Sequence, residues 1–167
     1  MQLIETVTVG SGGAASITFS SIAADWTDLY LMLSLRSSTT GVTEATVDLN
    51  STTPTSRWLR GNGATATSGT ANALVFNASG TTANTFSNVA VYIPNYTSSA
   101  QKSGSVDLVV ENNSASTNYQ YIHALLWNVT TAVTSITIAD DYGSFVEFSS
   151  ASLYGILKGS DGVTTVS

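Results

Sequence analysis

Apolar and polar residues alternate along this chain in short runs, most clearly at residues 29–36. There Leu29, Leu31, Leu33 and Leu35 fall on one side, with Tyr30, Met32, Ser34 and Arg36 on the other. Successive side chains of a strand point to opposite faces, so a period of two marks a strand with one buried face. Four leucines on one side predict a core strand. At the start of the chain, Leu3, Glu5, Val7 and Val9 oppose Gln2, Ile4, Thr6 and Thr8. Gly10-Ser11-Gly12-Gly13 then supplies a permissive reversal before a returning strand at 16–19. Further strands are predicted at 43–50 (Ala45, Val47 and Leu49 on one side), 56–60, 73–76, 86–93, 105–111, 119–128, 133–139, 145–148 and 152–158. Pro94 is expected to end its strand, because proline removes a ladder donor. Two segments break the alternation. Residues 22–28 predict a helical or 3₁₀ turn carrying Trp26, and 61–69 (Gly-Asn-Gly-Ala-Thr-Ala-Thr-Ser-Gly) predict a long exposed loop.

Ten to twelve short strands with no fixed long repeat predict an all-β fold, an antiparallel two-sheet β-sandwich. A jelly roll is the expected topology and a fibronectin-like sandwich the alternative. Residues 1–158 are read as one domain and 159–167 as a polar tail. Composition supports the class. Of 167 residues, 43% are hydrophobic and only 10% charged, while Ser and Thr supply 50. Disorder pairs low hydrophobicity with high charge, which is not the case here. Exposed helix faces are normally filled with Glu, Lys and Arg, and these are scarce. The surface is therefore expected to be rich in hydroxyls rather than ions.

Charge and cysteine content then narrow the function. Eleven acids against five bases give a net charge of −6, and the bases form no patch. Nucleic-acid binding needs such a patch to neutralise phosphates, so no nucleic-acid partner is expected. No apolar stretch approaches the roughly 18 residues of a membrane helix, and no basic, apolar leader follows Met1. No membrane partner and no signal peptide are predicted. There is no cysteine, which fits folding in a cytoplasm and leaves no thiolate metal site.

Each candidate for chemistry has a plainer reading. His123 is the only histidine, in an alternating strand without a nucleophile elbow, and is read as a cross-strand pair residue. Asp140-Asp141-Tyr142-Gly143 lacks the spacing of a calcium loop and is read as a turn. Asp25 and Asp28 are expected to cap the turn around Trp26. Asn50, Asn77, Asn95, Asn112 and Asn128 open Asn-x-Ser/Thr triplets, which so hydroxyl-rich a chain produces by chance. No catalytic residue, cofactor or metal is predicted, and the protein is not expected to be an enzyme. Arg57, Trp58 and Arg60, in Arg57-Trp58-Leu59-Arg60 before the glycine-rich segment, are the candidate contact for a ligand or partner.

Several segments of the chain resemble a family of tailed-phage virion proteins: Val91-Tyr92-Ile93-Pro94-Asn95-Tyr96, Leu126-Trp127-Asn128, Ala132-Val133-Thr134-Ser135-Ile136-Thr137, Phe145, and Ser149-Ser150-Ala151-Ser152-Leu153-Tyr154-Gly155-Ile156. The resemblance runs from Ile4 to about Lys158. It implies a capsid cement (decoration) protein or a head- or tail-fibre domain, with a jelly-roll fold and often trimeric assembly. On that basis the expected partners are the major capsid protein and further copies of the chain, as a homotrimer. The expected location is the capsid surface of a virion, after synthesis in the host cytoplasm. The alternative is a receptor- or glycan-binding fibre module.

Overall fold

The computed structural model describes residues 1–41, 43–70, 74–111, 113 and 118–157. The expected tail at 159–167, Lys158, Asn112 and the first residue of the strand expected at 73–76 lie outside these. Among the described residues the chain forms twelve strands and no helix. They are β1 (Gln2–Thr8), β2 (Ser16–Phe19), β3 (Asp28–Leu35), β4 (Thr43–Leu49), β5 (Thr55–Gly61), β6 (Ala66–Gly69), β7 (Leu74–Phe76), β8 (Ser87–Ile93), β9 (Lys102–Val110), β10 (Tyr119–Trp127), β11 (Ile136–Asp140) and β12 (Ser150–Ile156).

The strands make two antiparallel sheets packed as a sandwich. The large sheet runs β1-β12-β3-β8-β9-β10-β5-β6 and the small one β2-β11-β4-β7. The leucine-rich strand is central: Leu29, Leu31, Leu33 and Leu35 of β3 are buried, between β12 and β8. Ala45, Val47 and Leu49 face them from the small sheet's side of the same core, which also takes in Phe19, Phe76, Ile138 and Trp127. Trp127 joins the layers directly, its indole Nε1 donating to the carbonyl of Val47 at 2.8 Å. β8 ends at Ile93, immediately before Pro94, as proline chemistry requires.

Several expectations are corrected. Residues 22–27 form no helix, and Trp26 lies over Gly155, where a Cβ would collide with the indole ring. Asp28 belongs to the strand that follows that segment. It opens β3, buried, and accepts from the Tyr92 hydroxyl at 2.7 Å and the Asn95 amide at 2.9 Å. Residues 61–69 form a hairpin rather than a long loop, because β6 pairs with β5 from Trp58↔Gly69 to Gly61↔Ala66. The Asn62 carboxamide closes the turn by accepting from the amides of Ala64 and Thr65. Residues 145–148 are no strand: Phe145 makes isolated bridges to Ala14 and Ser37, and the next turn leaves Phe148 at φ 71°. In β1 a bulge at Ile4 resets the alternation, so Ile4 and Val7 both pack on the core while Leu3 is exposed.

Polar side chains, two of them buried, tie the loops down. Lys102 points inward from β9, and its Nζ donates to the carbonyls of Ser98, Ala100 and Val129. Arg36, expected on the outer side of β3, instead lies just beyond it and donates to the carbonyls of Thr82 and Thr85. Asn50 accepts from the amides of Thr134 and Ser135 and donates to the carbonyl of Ala132.

Candidate functional site

The three residues singled out at 57–60 part company in the fold. Strand alternation sends Trp58 and Arg60 to the inner side of β5 and Arg57 to its outer side. On the inner side, the Arg60 guanidinium lies 4.6 Å from the ring centre of Tyr119 and 5.4 Å from that of Trp58. It donates to the Tyr121 hydroxyl and to Thr67 Oγ1, both at 3.0 Å. Trp58 meets Tyr121 edge-on, with ring centres 5.8 Å apart. Arg60 is thus occupied by aromatic faces and hydroxyls of its own chain, and with Trp58 it holds the end of the sheet together.

His123 continues this inner row, opposite Trp58 on β5 and stacked on Tyr121. Its Nδ1 lies 3.3 Å from Ser56 Oγ, and Nε2 has no hydrogen-bond partner among the described residues. A hydroxyl beside an imidazole resembles half of a nucleophile–base arrangement. Both residues are only 2% exposed, however, so the pair is sealed within the protein. Burial pushes the imidazole pKa down to about 4, leaving it neutral at physiological pH. Asp140 makes the predicted turn, accepting from the amides of Tyr142 and Gly143. Among the described residues no three His, Cys, Asp or Glu side chains converge as metal ligands.

Arg57 leads instead to a feature of the whole sheet. Strand register aligns residues in rows across the outer face. One row reads Leu3–Tyr154–Tyr30–Tyr92–Ser105–Ala124–Arg57, crossing seven strands from β1 to β5. The next reads Thr6–Ser152–Met32–Ala90–Asp107–Ile122–Leu59–Ser68, from β1 to β6. The face has two apolar parts. Three half-buried tyrosines with Met32 occupy β12, β3 and β8, while Ile122, Leu59, Ala124 and Leu126 occupy β10 and β5. Ile122 is 58% and Leu59 51% exposed although they form a cross-strand pair. Among the described residues of the strands from β12 to β6, this face exposes two charged side chains, Asp107 and Arg57, with Glu111 exposed just past the end of β9.

The outer face of the small sheet is its opposite. Glu44 and Asp48 project from β4, and Asp141 follows β11. Thr46 Oγ1 donates to Asp141. Burial raises the Asp141 carboxyl pKa above its ordinary value, and the acids Glu44, Asp140 and Asp48 push it in the same direction. No protein-family model, curated protein or solved structure matches this chain.

The two outer rows were hard to read from sequence, because each takes one residue from each of seven or eight separate strands. Alternation did place Tyr30 and Met32 on the non-core side of β3. It carried no sign of Tyr92 and Tyr154 as their lateral neighbours, which depends on strand order and register.

Proposed function

We propose that this chain is a structural protein of a tailed-phage virion, a capsid decoration protein that seats on the outer capsid surface and braces it. The observation that carries the proposal is the division of charge between the two outer faces. The small sheet gathers acids, while the large sheet offers a broad face of tyrosine, aliphatic and hydroxyl groups, on which the described residues of β12 to β6 expose one acid and one base. Contiguous exposed apolar surface rimmed by polar groups marks a protein contact, and tyrosines are favoured there. We take the partner to be the major capsid protein and the β12 and β3 end of the tyrosine row, with Tyr154 and Tyr30, to be the surface that meets it.

The strand order supports a reading of the sandwich as a jelly roll. With the pairs β5–β6 and β9–β10 set aside, the remaining eight strands run β1-β12-β3-β8 opposite β2-β11-β4-β7. We read that order as a double-sheet jelly roll, an architecture found in capsid and lectin domains. The set-aside pairs widen only the large sheet, the one with the apolar outer face.

The test uses particles stripped of the protein and purified protein added back. A contact made of buried apolar area and neutral hydrogen bonds is weakly screened, so rebinding should change little between about 0.05 and 1 M salt. Replacing Tyr30 and Tyr154 together with Ser should weaken it at least about tenfold. Stripped particles should fail at a lower temperature than decorated ones. Rebinding that collapses with salt, or equal robustness with and without the protein, rejects the proposal. Binding to host-cell polysaccharide through the same tyrosines would favour the fibre module instead.

A further inference from the structure

The aliphatic part of the outer face carries its two charges in a self-complementary arrangement. On this face β10 presents Ile122, Ala124 and Leu126 in line. Asp107 of β9 stands beside Ile122 on one flank, and Arg57 of β5 stands beside Ala124 on the other. Within one chain they are two strand spacings apart, about 9.6 Å, and offset along the strands. Arg57 turns to its own backbone and donates to the carbonyl of Ser56.

We infer that a second copy of this chain packs on this half of the face, about a two-fold axis lying in the contact plane along β10. Such an axis exchanges the flanks of β10, so β5 of each copy lies over β9 of the other. Ile122, Ala124 and Leu126 meet their own counterparts along the axis. Arg57 arrives over Ser105 of the second copy, about 7 Å along β9 from that copy's Asp107, within reach of an arginine side chain. The contact forms twice, as an isologous interface requires. Buried between apolar rows, these pairs set register and exclude other orientations more than they add affinity.

The strand order also fixes how far the contact extends. β6 is the last strand on that side, so the second copy's sheet ends over β8. Five strands of each copy face one another, about 24 Å across, a footprint at the small end of stable interfaces. β3, β12 and β1, with Tyr30, Tyr154 and Leu3, remain uncovered in both copies. The unit is a pair and not the homotrimer implied by the family resemblance, and it does not depend on the virion reading.

Sedimentation of the purified full chain at about 50 μM tests the inference. The wild type should sediment at twice the mass of the chain. Arg57→Glu and Asp107→Arg each place like charges together and should weaken association at least about tenfold, and Ile122→Ser should do the same. The exchange R57E/D107R should restore the pair, which a merely misfolded variant would not do. Thermal melts of the single variants should show intact folding. A monomeric or trimeric wild type, single variants that pair as the wild type does, or an exchange that fails to restore pairing each overturns it.

Discussion

At the scale of single residues, two groups with shifted pKa values, buried His123 and exposed Asp141, make stability depend on pH in opposite directions. His123 is neutral in the folded chain, its pKa held at about 4 by burial against an ordinary value near 6.5. Between those values the unfolded chain binds a proton that the folded chain does not. Stability should therefore fall as pH drops through that window, by on the order of 3 kcal/mol. His123→Leu should flatten that part of the curve in urea melts; an unchanged slope would mean that the ring titrates normally. Asp141 has a raised pKa, so its charged form is the less favourable one in the fold. Asp141→Asn should raise the melting temperature at pH 7, with the gain shrinking as acidity protonates the native carboxyl. A loss of stability at pH 7 would show that its bond from Thr46 outweighs the surrounding acids. Sequence spacing identified both positions but not their environments. A histidine in an alternating strand reads alike whether its inward neighbours are water or, as here, Tyr121 and Ser56.

At the scale of elements, alternation located most strands well and misread the glycine-rich hairpin and the bulged first strand. The glycine-rich 61–69 segment carries no apolar period because β6 lies at the sheet edge and has no buried residue. Sequence reading therefore took an edge strand for a loop. What holds β6 is partly Gly69, whose missing side chain makes room for the Trp58 ring. Gly155 does the same for Trp26, but on β12, between β1 and β3. Alanine at either glycine should displace an indole and change tryptophan emission. The consequences should differ in size. Gly155→Ala should destabilise the whole fold by about 2–3 kcal/mol, since a methyl forced into a packed core moves its neighbours. Gly69→Ala should loosen only the β5–β6 hairpin, seen as faster amide exchange at 66–69 with the global midpoint nearly unchanged. Equal effects would contradict the assignment of β6 as a peripheral strand.

For the whole molecule, composition foretold a neutral surface but not how charge is shared between the two sides of the sandwich. That asymmetry gives the two outer faces unlike chemistry, one largely apolar and hydroxyl-bearing, the other acidic. The pairing of β1 with β12, and of β12 with β3, carries a further consequence, for synthesis. A nascent chain emerges from its N-terminus at about 5–20 residues per second, so β3 waits roughly ten seconds for β12 to be made. Throughout that time Leu29, Leu31, Leu33 and Leu35 form one flank of a strand lacking its C-terminal partner, in a chain with few charges to discourage association with other nascent chains. The same distant pairing that closes the finished sheet thus makes early life on the ribosome the stage at which this protein is most open to aggregation.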